Sequence, residues 1–131
     1  MSENSTIKIL VADDEHVIAD SLAMILTLAG FTVRAAYSGE QSVEVALGFQ
    51  PDLLISDVVM TGMTGIEAAV KIGTKLPSCK VLLFSGHGAT AALLAEASAQ
   101  NHDFEILTKP VHPTDLLAKI SGIETRSTPN S

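Results

Sequence analysis

The 131-residue sequence predicts a doubly wound α/β domain, and three observations carry that prediction. Five short apolar runs recur along the chain, each too short for a helix; a longer helix-favouring segment follows each one; and Gly, Pro, Asn, Asp or Ser punctuates the junctions. Parallel strands are joined through right-handed crossovers, so five strands alternating with five helices make a five-stranded parallel sheet covered on both faces.

Residues 7–12 (IKILVA) are apolar and rich in β-branched side chains, as in a strand buried on both faces. Over 15–29, Ile18, Leu22, Ile25 and Ala29 recur at helical spacing, and Gly30 stands where a helix stops. Residues 31–36 (FTVRAA) are the second strand. The second helix opens at Ser38, whose hydroxyl makes a capping-box pattern with Gln41, and ends near Gly48. Pro51 and Asp52 precede the third strand at 53–57, and the third helix occupies 65 to about 75. The fourth strand is 80–84 (KVLLF). The Ala-rich segment 89–100 favours helix, with Asn101 and His102 as a turn. The last strand is 104–108, and the last helix, 113–121, opens with Pro113 in its first turn.

This length holds one core: residues 7–122 form the domain, 1–6 a disordered N-terminal segment and 123–131 a frayed polar tail. With no repeat or linker in view, the chain is expected to act as one stand-alone unit. A net charge of −7 argues against nucleic acid or an anionic membrane as the main partner. The single Cys79 excludes an intramolecular disulfide and has no metal-ligand spacing, which suits a small buried filler in a reducing compartment. The opening MSENSTIK lacks the apolar stretch of a signal peptide, and no apolar run nears the ~20 residues that span a bilayer. A soluble cytoplasmic location is the expectation.

In an open α/β sheet, ligands bind outside the carboxyl ends of the strands. Strand one ends in Asp13, Asp14 and Glu15, strand three on Asp57, strand four before Ser85 and Gly86, and strand five before Lys109 and Pro110. Strand two ends in Tyr37 and Ser38, which suits an edge position away from the cluster. Gathered carboxylates repel, and desolvation disfavours their ionised forms further. A hard cation relieves this: Mg²⁺ prefers oxygen ligands, takes one or two carboxylates directly and keeps places for water and phosphate oxygens. Lys109 offers a compact positive charge and Ser85 a rotatable donor. Together these groups suit a phosphoryl group beside a metal, with a carboxylate as acceptor.

Singly, each signal has a simpler reading. Asp13, Asp14 and Glu15 could favour the start of the first helix, Asp57 could open a turn, and Lys109-Pro110 could be an ordinary strand exit. Their joint placement at one sheet edge outweighs those readings. Met60 and Met63 suit packing better than ligation. His16, His87, His102 and His112 share no metal spacing and suit solvated or locally bonded roles; only His87 falls near the mouth.

Asp13-Asp14, Asp57 followed by Met60, Gly62, Met63 and Gly65, then Ser85-Gly86 and Lys109-Pro110 occur in that order. This series resembles the receiver domain of two-component response regulators, over residues 7 to about 120. The resemblance implies the flavodoxin-like strand order 2-1-3-4-5. It also implies that Asp57 accepts a phosphoryl group from a phosphohistidine on a sensor histidine kinase or a histidine phosphotransfer protein. Mg²⁺ would then be bound directly by Asp14 and Asp57, by the Val59 backbone carbonyl, and by Asp13 through water. Lys109 would contact the phosphoryl group, Ser85 would close on it, and Lys109-Pro110 would be a cis peptide. Phosphorylation would alter affinity for a downstream protein, with the chain promoting only its own phosphorylation and dephosphorylation.

Two positions depart from the family pattern. Thr61 stands where proline is frequent, which predicts a less rigid loop after Asp57. Ile106 stands where an aromatic residue usually reports the movement of the Ser or Thr hydroxyl; Phe104 shares its strand face but lies farther from the site. The segment 89–100, with Leu93 and Leu94, could add to a docking face with the last strand and helix, or simply pack the core. Three rivals exist. A receiver cut from a longer regulator would have the same chemistry. A metal-dependent aspartyl-phosphate phosphatase is disfavoured because Val58 and Val59 leave no second acid after Asp57. A flavin or nucleotide binder is disfavoured by the absence of a glycine-rich phosphate loop.

Overall fold

A computed structural model of the chain describes residues 7–85, 105–108 and 112–127. Five strands, β1 (Lys8–Ala12), β2 (Thr32–Ala36), β3 (Leu53–Asp57), β4 (Lys80–Ser85) and β5 (Glu105–Thr108), pair in parallel in the order β2-β1-β3-β4-β5. The helices among the described residues are α1 (His16–Leu28), α2 (Gly39–Phe49), α3 (Gly65–Lys75) and α4 (Pro113–Ser127). The doubly wound, flavodoxin-like order is therefore observed. The expected helix over 89–100 lies outside the described residues.

Strand periodicity divides the core between the two faces. Ile9 and Val11 of β1, with Leu53 and Ile55 of β3, pack beneath Ala19 and Leu26 of α1 and Leu116 and Ile120 of α4. Leu10, Ala12 and Leu54 point the other way, against Ala46 of α2 and Ala69 and Ile72 of α3. Successive residues of a strand face opposite sides, so burial on both sides requires the unbroken apolar runs seen in the sequence. Each fully buried Leu or Ile contributes about 1.5–3 kcal/mol, and this rigid sheet fixes the loops at its carboxyl edge.

Helix ends follow local chemistry. The Ser38 hydroxyl accepts from Gln41 N at 2.9 Å, whereas the Gln41 side chain accepts from Tyr37 N at 2.7 Å, one residue before the expected partner. Helix α2 runs past Gly48 to Phe49, because Phe49 packs on the core beneath the Lys8 and Arg34 cations, and Gln50 ends the helix with φ 54°. Gly30 ends α1 as expected, at φ 108°. Helix α4 continues past Ser121 to Ser127, since nothing before Pro129 removes a backbone donor.

Cys79 is half-buried against the α2–α3 side of the core, with Sγ 3.5 Å from the Lys80 carbonyl. Burial, with the Asp52 charge second, pushes its thiol up to about 12. The thiolate is the reactive form, so at pH 8 iodoacetamide should label Cys79 at least about a hundredfold more slowly in the folded protein than in urea, as read by mass spectrometry.

Candidate functional site

Strand register brings the acids together. Ala12 pairs with Ser56, so Asp13, the residue after β1, comes level with Asp57 at the end of β3. One carboxylate oxygen from each of Asp13, Asp14 and Asp57 lies within 4.8 Å of the other two. Asp13 is buried; its Oδ1 accepts from Glu15 N at 2.9 Å and its own N–H donates to the Ala36 carbonyl at 3.1 Å. Glu15 is the N-cap of α1 but makes no side-chain cap, so helix capping does not account for this acidic run. Asp14 and Asp57 are half-buried, which leaves both open to solvent on one side.

Other site residues follow from the same register. Asp57 pairs with Phe84, and Ser85, next along β4, pairs with Thr108 of β5. The Ser85 side chain, Gly86, His87, His102, Phe104, Lys109 and Pro110 lie outside the described residues, as does the expected cis peptide. Val59 is 41% exposed, two residues beyond Asp57. Ile106 is also exposed on β5.

The loop between β3 and α3 is more firmly tied than the missing proline led us to expect. Thr61 donates twice to Asp14 Oδ2, from its backbone N–H at 3.0 Å and its hydroxyl at 3.1 Å. Proline supplies neither donor, so threonine exchanges a fixed φ for two bonds to a carboxylate. Met60 is buried in the core, Met63 N donates to Glu40 Oε2 at 3.2 Å, and Thr64 and Glu67 form a reciprocal capping box that starts α3. Gly65 N donates to the Val58 carbonyl at 2.8 Å, drawing the start of α3 against β3.

The exit of β2, expected to stand away from the mouth, borders it. Glu40 reaches the β3–α3 loop, and the Tyr37 ring stacks on His16 at 3.9 Å, just after Asp14. Sequence reasoning missed Glu40; its sole signal was an acid in the first turn of α2. His112 is locally bonded, accepting from Thr114 N at 3.1 Å. Tyr37 donates to Asp20 Oδ1 at 2.6 Å, and that bond, with smaller effects of desolvation and of the Asp20 charge, raises its phenol above the ordinary 10.0. It is the chain's single tyrosine, so an ultraviolet titration should find the phenolate midpoint above that of free tyrosine and returning toward it in Asp20→Asn.

Three carboxylate oxygens at this spacing are a donor set suited to a hard divalent cation. No described helix is long and apolar enough to cross a membrane.

Residues 9–121 match the response regulator receiver domain. The chain is 27% identical over 122 residues to the response regulator MprA of Mycobacterium ulcerans, covering 93% of this chain and 52% of that one. The chain spans between about a third and about half the length of the curated relatives it matches. A response regulator receiver domain from Clostridium thermocellum has a TM-score of 0.82 at 28% identity, covering 93% of this chain and 97% of that one. A CheY-like receiver domain protein from Methanospirillum hungatei has a TM-score of 0.86 at 25% identity, covering 97% and 100%. With nearly the whole folded region matched and the acids of the sheet edge in place, the chain belongs to the response regulator receiver domain family.

Proposed function

We propose that this receiver takes a phosphoryl group from phosphohistidine onto Asp57 in a Mg²⁺-dependent reaction, and that the product changes affinity for a partner protein. The observation that carries this reading is the set of three carboxylate oxygens within 4.8 Å, drawn from two strand exits more than forty residues apart. Asp14, Asp57 and the Val59 carbonyl would hold the ion, with Asp13 acting through water. When bound, Mg²⁺ supplies positive charge that offsets both the acids and the phosphoryl oxygens. An Asp57 oxygen forms the new O–P bond as the N–P bond breaks and the imidazole leaves. Lys109 would contact the transferred group and Ser85 would close on it.

Beside this site, Val17, Met24 and Leu28 stand exposed along one stripe of α1, which begins two residues after Asp14. That stripe suits a protein donor, a histidine kinase or phosphotransfer protein, and a donor of that kind would meet the chain in the cytoplasm. The chain would act only on its own phosphorylation state: Val58 and Val59 occupy the places directly after Asp57, so no acid follows it there to assist turnover of an external phosphoester. Ile106 has no ring to swing, so the response would pass through the loops after β3 and β4.

The test is incubation with Mg²⁺ and acetyl phosphate, followed by peptide mass mapping. A phosphoryl increment on the Asp57 peptide, lost in EDTA, is expected. An increment elsewhere, or one indifferent to Mg²⁺, overturns the reading.

A further inference from the structure

We infer that Thr61 is a positioning residue for the metal site, holding Asp14 in the orientation that receives Mg²⁺; this deepens the function proposed above and rests on its metal site. Thr61 and Asp14 are 47 residues apart, yet two donors of Thr61 converge on one oxygen, Oδ2, at 3.0 and 3.1 Å. Two bonds to one oxygen restrict both the rotation and the tilt of a carboxylate that is half open to solvent and that has an oxygen within 4.8 Å of those of Asp13 and Asp57.

The donors are themselves held. On one side Met60 is buried in the core; on the other Met63 N is bonded to Glu40, and the Thr64–Glu67 box anchors the start of α3. Thr61 therefore stands on a short span pinned at both ends, and the side chain of Asp14 follows it. Groups that orient a metal ligand contribute strongly to affinity, with losses of about ten- to a hundredfold on removal. Glu40 acts further out, by fixing the loop that carries Thr61.

A graded series reads this out through binding alone. Thr61→Ser keeps both donors, Thr61→Ala keeps the N–H, and Thr61→Pro removes both. Mg²⁺ dissociation constants come from NMR amide-shift titration, with Asp14→Asn as the reference for the site and melting temperature in EDTA as the check on folding. Serine should bind within about twofold of the parent, alanine about threefold more weakly, and proline about tenfold or more weakly, at similar melting temperatures. A purely structural role would move the melting temperature and leave the serine and alanine variants alike in affinity. If the parent binds Mg²⁺ through Asp14 and the alanine variant, or a folded proline variant, binds equally well, the inference fails and the metal site stands. If the parent takes up no Mg²⁺, both fail together.

Discussion

Asp57→Asn is expected to abolish Mg²⁺-dependent phosphoryl labelling while preserving the fold. Asparagine matches aspartate in shape, and β3 is held by pairing with β1 and β4 and by Leu53, Leu54 and Ile55, none of which depends on the charge. The amide oxygen is a poor nucleophile, so the loss should be complete. Neither neighbouring acid is as well placed to accept. Asp13 is only 1% exposed, and Asp14 Oδ2 is engaged by two donors of Thr61. The same substitution removes one of three clustered carboxylates, so Mg²⁺ should stabilise it less. At ten times its dissociation constant, a ligand that binds only the native state adds about 1.4 kcal/mol. The parent should show that gain in urea titrations with and without Mg²⁺, and Asp57→Asn should lose most of it. Labelling that survives in the asparagine variant would place the acceptor elsewhere.

The periodic features of the molecule were legible in advance, and its cross-chain features were not. Ile9, Leu10, Val11 and Ala12 could be read as a strand buried on both faces because such burial requires an unbroken apolar run. The meeting of Asp13, Asp14 and Asp57 was legible for a related reason: parallel strands end at one edge, so acids placed after two of them converge. Thr61 and Glu40 were harder. Their partners, Asp14 and Met63 N, are 47 and 23 residues away along paths set by loops without a repeat, so no local pattern announces them. Thr61 was read as a lost proline because sequence shows the missing ring but not the carboxylate awaiting two donors.

Gly65→Ala should destabilise the domain by about 3 kcal/mol and slow labelling of Asp57, whereas Gly73→Ala in the same helix should stabilise it. At Gly65 a Cβ would fall on the Asp57 carbonyl oxygen and 2.8 Å from Ser56 Oγ. Neither can give way easily. The carbonyl belongs to β3 and accepts the Ser56 hydroxyl at 2.9 Å, and Gly65 N is tied to the Val58 carbonyl at 2.8 Å. Relief requires moving the start of α3 away from the strand that carries the acceptor, which breaks that tie and shifts the loop bearing Thr61. Overpacking of this kind costs about 1–3 kcal/mol, and a backbone obstacle puts the cost at the upper end. Gly73 has nothing within 4 Å of its missing Cβ and lies inside α3, so alanine there gains only helix propensity, about 0.5–1 kcal/mol. Urea unfolding of both variants separates the two effects by sign. If Gly65→Ala unfolds within about 1 kcal/mol of the parent, α3 can stand off from β3 and the close approach is not what aims Asp57.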